Sequence, residues 1–422
     1  MSLFNVNVSI INSFCDNFKE NFSNTQFRAF AMLPYAMLKD YKRLNLSCLA
    51  KELPIDYQAL QYFLADSRWS YESLNTRRIN ILRKQRTTGF SKNGVLAIDD
   101  TGSLKPYAKK TEGVAYQHCP SIKNEAYCNV AVASCYVNAT KHIPLGLRFY
   151  KPEAEFAPLG KNDPDFKSKL DFAMELIEEA VHLNIPFSHI VFDSWYASCD
   201  MIDFIDDLGK RFVSEVKSDR RLLIKHPLSK KKVWLAQDEL VKLIKKHLWH
   251  KTRMVNYNGR LVPVYAFAAK VRDTQVELKA FIIMGKWSDE DDKSAHILIT
   301  NDLALDHKKA AACYRLRWGI EQTFQELKDS FYFDHYQLRH KEKIMRYWVL
   351  CLLVWSLIYW IRQNAYLHKI VSCKTSTCNE YKQALLMLIE FSSYAALRKN
   401  DLLYTEHFAA IKSQRFRNAC YN

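Results

Sequence analysis

The chain has 422 residues, 48% hydrophobic and 25% charged, with only 10 glycines, which excludes a disordered or collagen-like polymer and leaves room for several domains. Lysine and arginine total 61 against 45 aspartate and glutamate, a net charge of +16 that points to a polyanionic partner. Eleven irregularly spaced cysteines without a CxxC pair indicate reduced thiols rather than a disulfide framework. No GxxxxGK[ST] occurs, which argues against a P-loop motor.

In chain order, residues 1 to 90 read as a helical, DNA-binding domain. Its opening, "MSLFNVNVSIINSF", has no basic start and no small-residue cleavage site, so a cytoplasmic protein is expected. "LSCLAKELPIDYQALQYFLADS" offers two short amphipathic helices, broken by Pro54 and restarted by Asp56 as a cap. Two helices across a tight turn suit a helix-turn-helix over 46–66. "RTTGFSKNG", 86 to 94, reads as a linker.

From 95 the hydrophobic period changes. "VLAID" is a short apolar run ending in Asp99, with Asp100 next. "YCNVAVASCYV" and "HIPLGLRFY" follow as strands, "KSKLDFAMELIEEAVHLN" as a helix, and "HIVFD" as a buried strand ending in Asp193. "CDMIDFIDDLGK" and "RFVSEVK" add a helix and a strand. The order β-β-β-α-β-α-β over 95–217 predicts an α/β domain, a mixed five-stranded sheet with flanking helices. Residues 218 to 304 read as a β-rich basic insertion with a "YNGR" hairpin turn. Positions 210 to 260 hold 15 Lys or Arg and 4 Asp or Glu, so +11 of the excess charge lies there. Asp306 can cap the helix that resumes the core over 305–335. The C-terminal region, 336 to 422, reads as helical. Its apolar run "YWVLCLLVWSLIYWI" spans about 22 Å as a helix, short of a roughly 30 Å hydrocarbon core, so a buried helix and no membrane are expected. Cys373, Cys378 and His368 have only a weak zinc-ligand spacing.

The stretch "YRLRWGIEQTFQELK" predicts one continuous helix over 314–328. At about 100° per residue, Tyr314, Arg317, Glu321 and Lys328 fall within an arc of about 60°. Cys313, Leu316, Ile320, Phe324, Leu327 and Phe331 form an apolar stripe beside them. The polar stripe therefore borders the buried face; a solvated face with helical ion pairs would show the same spacing. In a sheet of order 3-2-1-4-5, the first and fourth strands are neighbours, so the carboxylates at their ends meet. Each of these aspartates taken singly is more often a turn or helix cap. Together with Glu321 they make a cluster of hard oxygen ligands that suits Mg²⁺ or Mn²⁺, and two such ions suit phosphoryl transfer.

These residues resemble the insertion-sequence transposases of the DDE type, which have a ribonuclease H-like core. The chain is similar, more narrowly, to the cut-and-paste group marked by a Y-x2-R-x3-E-x6-K signature, matched here by Tyr314, Arg317, Glu321 and Lys328. "IDDTG" and "VFDSWYAS" resemble that group's two aspartate motifs. The resemblance covers roughly 95 to 335 well and the ends more loosely. It implies that Asp100, Asp193 and Glu321 are catalytic and hold two divalent ions. Asp100 is preferred to Asp99 because it directly precedes Thr101. Glu326, about 140° from Glu321 on the helix, is discarded. The resemblance also implies DNA contacts by Tyr314, Arg317 and Lys328; Trp287 reads either as a core or turn residue or as a base-stacking one, and Trp195 and Trp318 as packing residues. The implied partners are double-stranded DNA with terminal inverted repeats and target DNA, bound by a dimer, with cleavage through a hairpin. Competing readings are another ribonuclease H-like nuclease, or an inactive or domesticated derivative that only binds DNA.

Overall fold

The computed structural model describes residues 9–38, 46–47, 50, 55–85, 88–108, 110–257, 259–285, 294–362 and 377–397. The chain divides into two compact units, one formed by 1–88 with 326–422 and the other by 89–325.

In the first unit, α1 (Ser9–Asp16), α2 (Asn24–Leu38), α3 (Tyr57–Ala65) and α4 (Tyr71–Lys84) come from the N-terminal stretch. The expected Asp56 cap forms, its carboxylate accepting from the Gln58 amide at 3.0 Å, and Ser70 caps α4 by accepting from the Ser73 amide at 3.0 Å. The helix-turn-helix expected over 46–66 lies partly outside the described residues, Pro54 among them; α3 is its second helix.

The second unit is built on one mixed sheet. Its strands are β1 (Val95–Leu104), β2 (Ala115–Cys119), β3 (Asn124–Val137), β4 (His142–Tyr150), β5 (Ile190–Phe192) and β6 (Phe212–Val216), with helices α5 (Lys169–His182) and α6 (Cys199–Asp207) between β4 and β6. Then come β7 (Leu222–Lys225), β8 (Lys232–Leu235), α7 (Gln237–His247), β9 (Arg253–Tyr257), β10 (Arg260–Lys270), β11 (Leu278–Ile283) and β12 (His296–Thr300). The order along the sheet is β2-β3-β1-β5-β6-β12-β11-β10-β7-β8, with β4 on β3 and β9 on β10. This arrangement is compatible with a ribonuclease H-like fold. It does not stop at five strands: β12 pairs antiparallel with β6, so the basic segment extends the same sheet. The "YNGR" turn closes β9 onto β10, with Tyr257 opposite Arg260 and Gly259 at φ +79°, a conformation that favours glycine.

β1 and β5 are apolar runs because both their faces are covered; Leu96, Ala97, Ile98, Ile190, Val191 and Phe192 are fully buried. α5 turns Ala173, Leu176, Ile177 and Ala180 inward at helical spacing. Each leucine or isoleucine so buried contributes about 1.5–3 kcal/mol. A charge at Leu176 would break that face.

The path returns through α8 (His307–Arg315), capped by Asp306, which accepts from the Lys309 amide at 2.9 Å, and α9 (Trp318–Phe331), whose last turns belong to the helical unit. The single helix expected over 314–328 is thus two. Leu316, Arg317, Gly319 and Ile320 donate to carbonyls three residues back, a tighter winding that ends α8 and restarts as α9. α10 (Lys341–Ile361) and α11 (Cys378–Leu397) complete the first unit. α10 is long and apolar enough to cross a membrane, but 94% of its apolar window is buried inside the protein. Its buried Ser356 accepts from Arg78 of α4 at 2.9 Å, and Arg78 also reaches Asn75 twice, at 2.9 and 2.8 Å.

Candidate active site

The two aspartate motifs lie just past the end of the parallel ladder of β1 and β5. That ladder pairs Leu96 with Ile190 and Ala97 with Val191; two places further on come Asp99 and Asp193. Asp99 and Asp100 were expected at a strand end. Instead they lie mid-strand, because the 14-residue β3 pairs with β1 along its whole length, from Val95↔Val137 to Leu104↔Cys128. Strand alternation sends their side chains opposite ways.

Asp99 faces Arg317. One guanidinium nitrogen donates to Asp99 Oδ2 at 2.8 Å, and the other to Glu321 Oε1 at 2.6 Å. The arginine side chain is 18% exposed. The turn between α8 and α9 makes this bridge possible, since it puts Arg317 beside β1 while Glu321 follows on the first turn of α9. That helix lies close to the sheet: a Cβ on Gly319 would come within 2.4 Å of Val137 Cγ1. Thr323, on the next turn, lies 2.8 Å from His142 Nδ1 and 3.4 Å from Cys135 Sγ, tying α9 to β3 and β4.

Asp100 faces Lys169, the first residue of α5, with Nζ 2.6 Å from Asp100 Oδ2. The ammonium lies over the rings of Tyr150 and Trp195, 5.5 and 5.6 Å from their centroids. Asp193 follows β5 and accepts from the backbone amides of Trp195 and Tyr196 at 3.0 and 3.4 Å, a local turn that leads into α6. Tyr314 is buried and donates its hydroxyl to Glu215 of β6 at 2.9 Å.

Three carboxylates, Asp99, Asp100 and Glu321, are thus met by two cations, Arg317 and Lys169, while Asp193 is met by backbone amides. Burial lifts the Asp99 carboxyl to about 7, against the pull of Arg317 and with a push from Asp193 and Asp100. Burial also raises Asp193, opposed by its Trp195 amide bond and by Arg317. Burial works against the Arg317 charge, but Asp99, Tyr314 and Glu321 more than offset it, so its pKa is raised. Burial raises the Tyr314 phenol, and the charge of Glu215 adds to it.

The other sequence candidates sit elsewhere. Glu326 accepts from Trp355 Nε1 at 2.9 Å within the helical unit. Lys328 is half-buried two turns beyond Glu321 on α9. Trp287 lies outside the described residues, as do Cys373 and His368. Trp195 and Trp318, read as packing residues, are instead 50% and 55% exposed. Sequence reasoning missed Lys169 and Tyr196. Lys169 carried one signal, since a cation in the first turn of a helix opposes the helix dipole.

Residues 17–235 match the family described as DDE superfamily endonuclease, more than half of the chain and inclusive of Asp99, Asp100 and Asp193. The chain belongs to this family. A second family, the transposase DDE domain, matches residues 169–357, which hold Asp193, Glu321 and the rest of the four-residue helical pattern. A probable transposase for insertion sequence element IS701 from Microchaete diplosiphon is 26% identical over 216 residues, 50% of this chain and 55% of that protein. The chain therefore spans about half the length of the curated relative it matches.

Hard carboxylate oxygens are the donor chemistry for Mg²⁺ or Mn²⁺, the class of ion DDE endonucleases use. Two features of this fold fit such an ion. The carboxylates outnumber the cations that meet them, and the Tyr196 hydroxyl is buried without a hydrogen-bond partner within electrostatic reach of Asp100, Asp99 and Asp193. Among the described residues, no group of three His, Cys, Asp or Glu side chains converges; Arg317 and Lys169 pair with Asp99 and Asp100 instead.

Proposed function

We propose that this protein is a DNA transposase of the cut-and-paste group with the Y-x2-R-x3-E-x6-K signature. It cleaves at the ends of its element and joins the freed 3′-OH to target DNA, passing through a hairpin. The observation that supports this reading is the bridge from Asp99 through Arg317 to Glu321, which ties the glutamate of a late helix to β1, the strand that also bears Asp100. Asp100, Asp193 and Glu321 would hold Mg²⁺ or Mn²⁺, two ions in all, which supply Lewis acidity and an activated oxygen nucleophile.

The chain's own residues provide position and charge. Asp99 fixes one side of the Arg317 guanidinium, and its fixed fork sets where Glu321 stands. Arginine has five N–H donors, so those beyond the two bonds to Asp99 and Glu321 can meet a DNA phosphate. Tyr314 and Lys328 are assigned the same role; for Tyr314 this exchanges its bond to Glu215 for one to phosphate. The basic segment 210–260 supplies long-range attraction for the duplex. The partners are the element's inverted-repeat ends and target DNA, brought together by a dimer.

The test uses duplexes drawn from the DNA bordering the reading frame. Glu321→Gln should abolish Mg²⁺- or Mn²⁺-dependent cleavage while leaving binding of those duplexes intact. Glu326→Gln should cleave like the wild type. Cleavage by the Glu321 variant at the wild-type rate would sink the assignment.

A further inference from the structure

We propose that Lys169 contacts DNA phosphate at this site: Asp100 holds its ammonium in the DNA-free protein, and a phosphodiester takes it over when a divalent ion claims that carboxylate. The inference rests on the transposase reading above and adds a residue to its substrate grip.

Helix stability does not account for Lys169. Ser168 caps α5 and forms a reciprocal capping box with Asp171, so the helix start is already satisfied. A cation at the first helical position opposes the helix dipole, which favours anions there. The side chain is nonetheless held tightly. Nζ lies 2.6 Å from Asp100 Oδ2, and the two side chains are only 13% and 17% exposed. The faces of Tyr150 and Trp195 flank the ammonium and limit where it can go.

Charge then dictates the exchange. Asp100 is one of the carboxylates assigned to the divalent ion. An ion bound there would face the Lys169 ammonium as a like charge within a few ångströms, in a region of low exposure where such repulsion is poorly screened. The aromatic faces attract the ammonium but carry no net negative charge to neutralise it. The exchange is favourable when another anion arrives, and a DNA strand presented to these carboxylates brings phosphates. The Trp195 ring beside the ammonium is half-exposed, which opens this side of the site to that strand. Metal and DNA should therefore bind cooperatively through Lys169.

The experiment compares the full-length wild type with Lys169→Gln and Lys169→Arg. Binding of fluorescein-labelled duplexes from the bordering DNA is followed by anisotropy across a range of KCl, in EDTA and in Ca²⁺. In wild type, Ca²⁺ should steepen the slope of log K against log[salt], by about 0.9 for each further phosphate that the protein neutralises. The slope for Lys169→Gln should be shallower than wild type by about 0.9 in Ca²⁺ and equal to it in EDTA, and Lys169→Arg should match wild type in both. Without DNA, Mn²⁺ should bind Lys169→Gln several-fold more tightly than wild type, because no ammonium competes for Asp100; that measurement also shows that the variant retains its site. Equal slopes for wild type and Lys169→Gln in Ca²⁺ would overturn the inference while leaving the transposase reading standing. If wild type does not prefer these duplexes to unrelated DNA, the transposase reading falls and takes this inference with it.

Discussion

Asp99 shows how the site's charges act on stability. Its folded pKa of about 7 lies above the ordinary aspartate value near ~3.9, so the folded protein binds the proton more tightly than the unfolded chain does. The stabilisation linked to that proton is complete below about pH 4 and is lost as pH rises through about 7. Metal-free protein should accordingly melt at a lower temperature near pH 8 than near pH 5, and Asp99→Asn should flatten that dependence. Thermal denaturation of both proteins in EDTA across this range is the check; an undiminished pH dependence in the asparagine variant would refute the assignment. "IDDTG" marks two adjacent carboxylates but not which cation each one meets. That difference comes from alternation along β1, which sends Asp99 to Arg317 and Asp100 to Lys169.

At the scale of elements, the Glu321 helix is positioned by close approach to the sheet. Gly319 lies on Val137, where an added Cβ would come within 2.4 Å of a methyl group. Gly319→Ala should push α9 from β3, cost about 1–3 kcal/mol as overpacking, and impair cleavage by displacing Glu321. Denaturant melts check the cost. Val137→Ala should restore part of it, and purely additive effects in the double variant would contradict the contact. The 3-4-7 spacing of Tyr314, Arg317, Glu321 and Lys328 was legible in the sequence, and so was the apolar stripe that buries Ile320, Phe324, Leu327 and Phe331. The break at Leu316–Arg317 was not. Periodicity reports which face is apolar, whereas a tight turn depends on what the chain must reach next.

Across the whole molecule, the excess charge concentrates in the segment that extends the sheet past β6. Lys230, Lys231 and Lys232 are exposed where the turn after β7 enters β8 and make no ion pair among the described residues. Replacing all three with glutamine should weaken DNA binding at low salt and lower the salt slope by about 0.9 for each lysine that meets a phosphate. An anisotropy titration measures this; an unchanged slope would place the DNA path elsewhere. Melting temperature should move little, since exposed charges contribute little to stability.

Local patterns in the sequence determined much of this protein. Buried-strand runs, amphipathic helices and capping residues identified β1, β3 to β6, α5 and α6, because each signal depends on residues within a few positions of one another. The same holds for the two aspartate motifs and the helix bearing Glu321. Tertiary structure alone decided that the basic segment continues the catalytic unit's sheet, that the first and last helical stretches belong to one unit, and that Arg317 ties Asp99 to Glu321 across 218 positions in the chain. It also brought Lys169 to Asp100 and left the Tyr196 hydroxyl among the carboxylates. Those partnerships join residues far apart in the chain, and a charge's partner depends on which elements pack together rather than on the neighbouring sequence.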